Sequence, residues 1–167
     1  MTVRYKINFK MAEFSAMLSF CFTFVLVGGQ NCLPGWHFYA GACYGFGESQ
    51  VSWGDAQELC YAYSGKLAEI ESSGENVFLK NLVRTKHAPY TWLGATDIFN
   101  EGTWEWVNTG NEIFSFVDWA PNQPDNAAQG EDCLTLYRDE NYQWNDYPCD
   151  QPAFFLCEAA PQDVIIG

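Results

Sequence analysis

Hydrophobic and polar positions follow two rhythms along this chain, and the change falls near Pro89. Before it, "SWGDAQELCYAYSG" sets Trp53, Ala56, Leu59, Cys60 and Tyr63 at helical spacing on one face. Ser52 and Asp55 form a capping-box start, and Gly65 is placed to end the helix as a C-cap glycine. A second helix is predicted from about Ser73 to Arg84, with Val77, Phe78, Leu82 and Val83 as its apolar stripe and Glu75 near the favourable N-terminus. Upstream, "GWHFYAGACYGF" reads as an aromatic hairpin turning at Ala40-Gly41. After Pro89, "YTWLGA", "GTWEWV", "DCLTLYRD", "YQWND" and "AFFLCE" have the short β-branched and aromatic texture of strands. Each amphipathic helix needs a sheet to cover, so this order predicts an α+β domain. Between "WEWV" and "DCLTLY" run about 25 residues rich in Asn, Pro, Gly and Asp, a length that in a compact domain marks function or disorder. Trp106, Phe114, Phe116 and Trp119 argue for order. Trp92, Trp104, Trp106, Trp119 and Trp144 read mainly as core.

The first stretch follows neither rhythm. Arg4, Lys6 and Lys10 precede an apolar run from Phe14 to Val27 and then Gly28 and Gly29, the layout of a secretory signal peptide. The run falls short of the ~20 residues of a spanning helix, so membrane insertion is not expected. The predicted organisation is a signal peptide at residues 1–29, one domain at 30–160 and a short tail at 161–167, in a protein secreted to the extracellular space.

Loss of the signal changes the charge picture. The remaining chain keeps 5 basic and 20 acidic side chains, a net charge of −15, which disfavours phosphate backbones and makes nucleic acid an unexpected partner. It also removes Cys21, leaving Cys32, Cys43, Cys60, Cys133, Cys149 and Cys157. An even set in a secreted chain predicts three disulfides, with 15 connectivities open on spacing alone. No CxxC pair points to zinc instead.

The long loop carries the candidate chemistry. "APNQPDNAAQGEDC" gathers Gln123, Asp125, Asn126, Glu131 and Asp132 with no lysine or arginine among them, and "WND" adds Asn145 and Asp146. Calcium takes roughly 6 to 8 oxygen ligands and accepts this mixture of carboxylates and amides. A solvated acidic loop is the competing reading. The two motifs together, with Cys133 and Cys149 able to hold loop against strand, favour a metal. No EF-hand loop is present. Neither His37, expected to be packed, nor His87, expected in a loop, sits in a catalytic motif, so no catalytic residue is assigned and an enzyme is not expected.

From Cys32 to Glu158 the motifs "GWHFYAGACYGF", "SWGDAQELC", "TWLGATD", "QPD", "GEDC", "WNDYPC" and "FFLCE" resemble, in order, a C-type lectin domain in its long form. The resemblance implies two helices packed on short antiparallel β-sheets, with a long calcium-binding loop and disulfides Cys32–Cys43, Cys60–Cys157 and Cys133–Cys149. It implies that Gln123, Asp125, Glu131, Asn145 and Asp146 hold calcium and contact a sugar, with a cis Gln123-Pro124 bond. A second calcium site would fall on Asp97, Glu101, Asn126, Glu131 and Asp132, where Asn126 departs from the usual acid. "QPD" resembles the galactose-type signature. The tryptophan that usually follows it is replaced by Asn126-Ala127-Ala128-Gln129, with Tyr142 or Tyr147 as candidate stand-ins. The implied partner is a glycan on cell or microbial surfaces, in innate recognition or agglutination. Agglutination by a single-site domain would require a homo-oligomer. The alternative from another class is an acidic, calcium-binding structural or mineral-associated protein.

Overall fold

The computed structural model describes residues 31–113, 115–127 and 130–162. The predicted signal peptide, residues 163–167 of the tail, Phe114, Ala128 and Gln129 lie outside them.

The N-terminal hairpin joins β1 (His37–Tyr39) to β2 (Ala42–Val51). Its two-residue turn puts Ala40 at φ 47° and Gly41 at φ 100°, the left-handed conformations that match the twist of a hairpin. Helix α1 (Trp53–Ala62) starts at Ser52, whose Oγ accepts the Asp55 N–H at 3.2 Å. Gly65 does not end this helix. Ser64 takes the left-handed position at φ 57°, while Gly65 opens β3 (Gly65–Leu67), where a Cβ would lie 2.5 Å from the Glu158 carbonyl oxygen. The glycine serves close strand approach rather than a cap.

Helix α2 (Ser73–Lys86) is capped by Ser72, whose Oγ accepts from Glu75 N, and ends at His87 in the left-handed region. It runs two residues past the expected Arg84. Then come β4 (Tyr90–Thr96), β5 (Glu105–Trp106), β6 (Asn111–Glu112), β7 (Cys133–Tyr137), a 3-10 turn at Arg138–Glu140, β8 (Gln143–Tyr147) and β9 (Ala153–Ala159).

The strands form one connected sheet in the order β1-β2-β9-β4-β5-β6, with β3 also on β9 and β7 bridging β4 to β8. The sheet is mixed, not purely antiparallel as expected, because β4 runs parallel to β9 at Thr91↔Phe154 and Trp92↔Phe155. Alternation along β4 and β9 divides the core in two. Trp92, Phe155 and Cys157 join Ala56 and Cys60 of α1, while Leu93 and Leu156 join Leu79 and Val83 of α2. The helices therefore cover opposite faces of the sheet.

Both helical stripes differ from the sequence expectation. On α1, Leu59 and Tyr63 are exposed and Gln57 is buried instead, its Nε2 bonded to Tyr61 and Asn108. On α2, Val77 is exposed while Asn76 and Lys80 are buried. Polar groups fill these inward positions because partners wait for them. His37 is exposed on β1, not packed.

The disulfides are Cys32–Cys43, Cys60–Cys157 and Cys133–Cys149, as the resemblance implied. Sequence separations of 97 for Cys60–Cys157 and 11 for Cys32–Cys43 predict unequal contributions. By loop-closure entropy, replacing Cys60 and Cys157 by alanine should cost about 4 to 5 kcal/mol, and replacing Cys32 and Cys43 about 3 kcal/mol. Urea unfolding of the two double variants checks the order; equal losses would contradict it.

Candidate metal centre

Two arms build the site. The first is the loop from Asp118 to Asp132 and the second is the end of β8. They are joined where Trp119 bridges Trp144: Trp144 N donates to Asp118 O and Ala120 N donates to Trp144 O, both at 2.8 Å. Below this junction the Trp144 ring meets Trp106, Phe116 and Trp119 edge to face, with centroids 5.7 to 6.0 Å away. The tryptophans of the loop region are packing residues, as their sequence positions suggested.

Beyond the junction, Gln123 N donates to Ala120 O at 3.0 Å and the Gln123-Pro124 bond is cis. Asn126, in the left-handed region at φ 43°, turns the loop back, its N–H donating to Asp146 Oδ2 at 2.6 Å and its Oδ1 accepting from Glu131 N at 3.1 Å. Ala127 N lies within bonding distance of both Asp125 Oδ1 and Glu131 Oε2. The Asn145 side-chain amide donates to the Asp146 carbonyl. Asp125, Glu131 and Asp146 thereby converge, each with a carboxylate oxygen within 4.8 Å of the others.

Among the described residues, no basic side chain neutralises this convergence. The described ion pairs use Lys66, Lys80, Lys86 and Arg138, and none reaches Asp125, Glu131 or Asp146. Gln123 Oε1 and Asp146 Oδ1 are buried with no hydrogen-bond donor. Orphaned buried acceptors beside unpaired carboxylates are costly unless a cation meets them. An oxygen-only set of Gln123, Asp125, Glu131, Asn145 and Asp146 therefore fits a hard divalent cation such as calcium.

Burial pushes the Asp146 carboxyl above its usual range, opposed by the Asn126 N–H and reinforced by the Asp125 charge. Glu131 is likewise raised by burial, then by Asp146 and Asp125.

The residues of the second expected site are arranged differently. Asp97 is buried, its Oδ2 accepting from Gly102 N at 2.8 Å and its Oδ1 without a donor. Burial raises its carboxyl, with Glu101 and Asp132 adding to the rise. Thr96 Oγ1 and Asp97 N bond the Asp132 carbonyl, so this loop lies against the first site. The carboxylates of Asp97, Glu101 and Asp132 do not gather into a tight cluster among the described residues. Asn126 commits its Oδ1 to Glu131 N.

Of the aromatic candidates, Tyr142 is a core residue under Arg84, and Tyr147 has one face stacked on Tyr90 at 4.2 Å. Tyr142 thus offers no ring to a ligand. Sequence reasoning passed over Phe99, which is 77% exposed on the loop beside Asp132. Its signal was an apolar pair, Ile98-Phe99, inside an otherwise polar turn.

A disulfide-braced α+β domain whose long loop and adjoining strand end converge on an all-oxygen cluster has the form of a binding module. The chain belongs to the C-type lectin family, because the family model described as Lectin C-type domain matches residues 49–159. Perlucin of Haliotis laevigata is 39% identical over 130 residues, covering 77% of this chain and 83% of perlucin. A perlucin-like protein of Mytilus galloprovincialis is 34% identical over 148 residues, covering 84% and 94%. Among solved structures, the mouse scavenger receptor C-type lectin carbohydrate-recognition domain superposes with a TM-score of 0.71 at 32% identity, over 79% of this chain and 100% of that one.

The raised carboxyls have a signed consequence. With no cation bound, Asp146 and Glu131 hold protons to higher pH in the folded state than in the unfolded one. In that window the folded state binds more protons, so stability falls as pH rises through it. Calcium binding requires the ionised forms and opposes this loss. In chelator, melting temperature should therefore rise relative to an Asp146→Asn variant as pH is lowered from neutrality toward the raised carboxyl range, and the increment given by calcium should shrink over the same range. Thermal melts with and without calcium check both trends. A calcium increment independent of pH would contradict a carboxylate-held ion.

Proposed function

We propose that this protein is a secreted, calcium-dependent lectin that binds glycans on cell or microbial surfaces. The observation that carries this reading is the pair of buried, donorless oxygens, Gln123 Oε1 and Asp146 Oδ1, beside three converging carboxylates that lack a cationic partner. Membership in the C-type lectin family supports carbohydrate as the ligand class, and the mouse relative is described as a carbohydrate-recognition domain. Among the described residues no helix is long and apolar enough to cross a membrane.

When bound, calcium would neutralise the carboxylates and leave coordination places for two neighbouring sugar hydroxyls. The chain's own groups do the rest. Gln123 Nε2 donates to a sugar oxygen, whereas ionised Asp125 and Glu131 only accept hydroxyl protons. Such charge-assisted bonds fix orientation as well as affinity. Amide first and acid second is the galactose-type order, and with Tyr142 buried the preference rests on that order more than on stacking. The role is binding, with innate recognition or agglutination as its consequence, and agglutination would need two domains held together.

A second reading is favoured by the formal charge of −15 on residues 30–167, which suits adhesion to a calcium mineral. One experiment separates the two. Titration with galactose and with mannose, in calcium and in excess chelator, should give chelator-sensitive binding with galactose ahead. Gln123→Ala and Asp125→Ala should abolish sugar binding while leaving adsorption to calcium carbonate intact if mineral contact is diffuse. Mannose ahead would discard the galactose assignment, and binding indifferent to chelator would discard the calcium mechanism.

A further inference from the structure

We propose that the ion pair between buried Lys80 and half-buried Asp118 is the positioning device of the metal centre. It would hold in register the two arms that carry the ligands, an inference that rests on the calcium reading above. Lys80 is the one described basic residue that reaches the long loop: its Nζ lies 2.6 Å from Asp118 Oδ2. The other paired cations, Lys66, Lys86 and Arg138, meet acids elsewhere.

Asp118 is a hub. Its Oδ2 also accepts from Asn76 Nδ2 at 2.7 Å and its Oδ1 from Gln143 Nε2 at 3.4 Å, while Asn76 Oδ1 accepts from the Trp144 indole at 3.3 Å. Asn76 and Lys80 are both at least nine-tenths buried on helix α2. The backbone of the hub bonds β8 directly through Trp144 N to Asp118 O. One carboxylate thus ties α2 to the start of each ligand arm. Ala120, two residues on, accepts from Gln123 N, and Trp144 immediately precedes Asn145 and Asp146.

The energetic logic follows from burial. Removing the buried Lys80 takes away the cationic partner of the half-buried Asp118 carboxylate and leaves it two neutral amide donors, Asn76 and Gln143, so Asp118 is freer to turn toward water and take the loop with it. Ligands that must then be reassembled on binding lose affinity; groups bonded directly to a metal ligand typically contribute roughly 10- to 100-fold, and Asp118 acts one step further out, through Trp144 and Ala120, so the low end of that range is expected. None of these residues touches the metal or the sugar, so they are positioning residues.

The test uses the full chain after folding with its disulfides. Calcium affinity is measured by calorimetry for wild type, Lys80→Met, Asp118→Asn and the double variant, with Lys86→Met as a control on the same helix. Amide hydrogen exchange in chelator is followed at Ala120 and Trp144. Each single variant should bind calcium about tenfold more weakly, and the double variant no worse than the weaker single. Lys86→Met should bind as wild type. Exchange at Ala120 and Trp144 should accelerate while the β2–β9 ladder stays protected, a pattern that general destabilisation would not give. Wild-type affinity in Lys80→Met, additive losses in the double variant, or uniform acceleration of exchange would each overturn the proposal. If wild type itself takes up no calcium, the metal reading falls, and local exchange at Ala120 and Trp144 still decides whether the pair positions the arms.

Discussion

The site depends on burying Trp144. Its side chain is fully enclosed, set edge to face against three aromatic rings, and its backbone closes the junction with Asp118 and Ala120. Aromatic contacts of this kind add stability beyond area alone. The two residues that follow, Asn145 and Asp146, are paired with β7, and Asp146 is carried to 1% exposure with Oδ2 held by the Asn126 N–H and Oδ1 unsatisfied. A carboxylate would not choose that position; the tryptophan before it imposes it. Packing energy is in this sense converted into a preorganised acceptor.

Electrostatics explain why the rest of the loop is as it is. Backbone N–H groups of Asn126 and Ala127 are turned inward and satisfy part of the carboxylate demand, while the Glu131 N–H holds the Asn126 side-chain carbonyl. They supply dipoles where a lysine would supply a charge, so the site is held together yet remains net negative. A lysine placed there would stabilise the isolated fold and compete with any cation. Lys80 reaches this region only as far as Asp118, on the core side of the junction.

Much of this was legible in the sequence, for identifiable reasons. The capping box at Ser52 and the acid at Glu75 are local signals, and both helices begin where those signals lie. The oxygen set was visible because its members cluster in two short motifs, and the structure brings Asp125, Glu131 and Asp146 together. Spacing alone left the disulfide pairing open, and the family resemblance supplied the three pairs that the structure contains. What could not be read was tertiary. Periodicity placed Val77 inside and gave no role to Asn76 or Lys80, because polar residues look solvent-facing until their partners, Asp118 and Trp144, are brought within reach from some 40 to 70 positions away. Gly65 looked like a cap because only the pairing of β3 with β9 reveals the carbonyl it must clear.

The aromatic content of the chain bears on ligand choice. Tyr90 stacks between Tyr137 and Tyr147 at 4.6 and 4.2 Å, and Tyr142 lies beneath Arg84, so much of the aromatic surface near β7 and β8 is engaged internally. A sugar at Gln123 and Asp125 would therefore meet a polar floor with few free ring faces. Under the proposed reading, discrimination between hydroxyl configurations then falls on the order of donor and acceptor, which exchanging amide and acid between the positions of Gln123 and Asp125 would reverse. A bound calcium would hold hydroxyls in either order and be indifferent to that exchange. Cation binding and sugar preference thus reside in the same side chains but in different atoms: oxygens for the first, and the Gln123 Nε2 donor for the second.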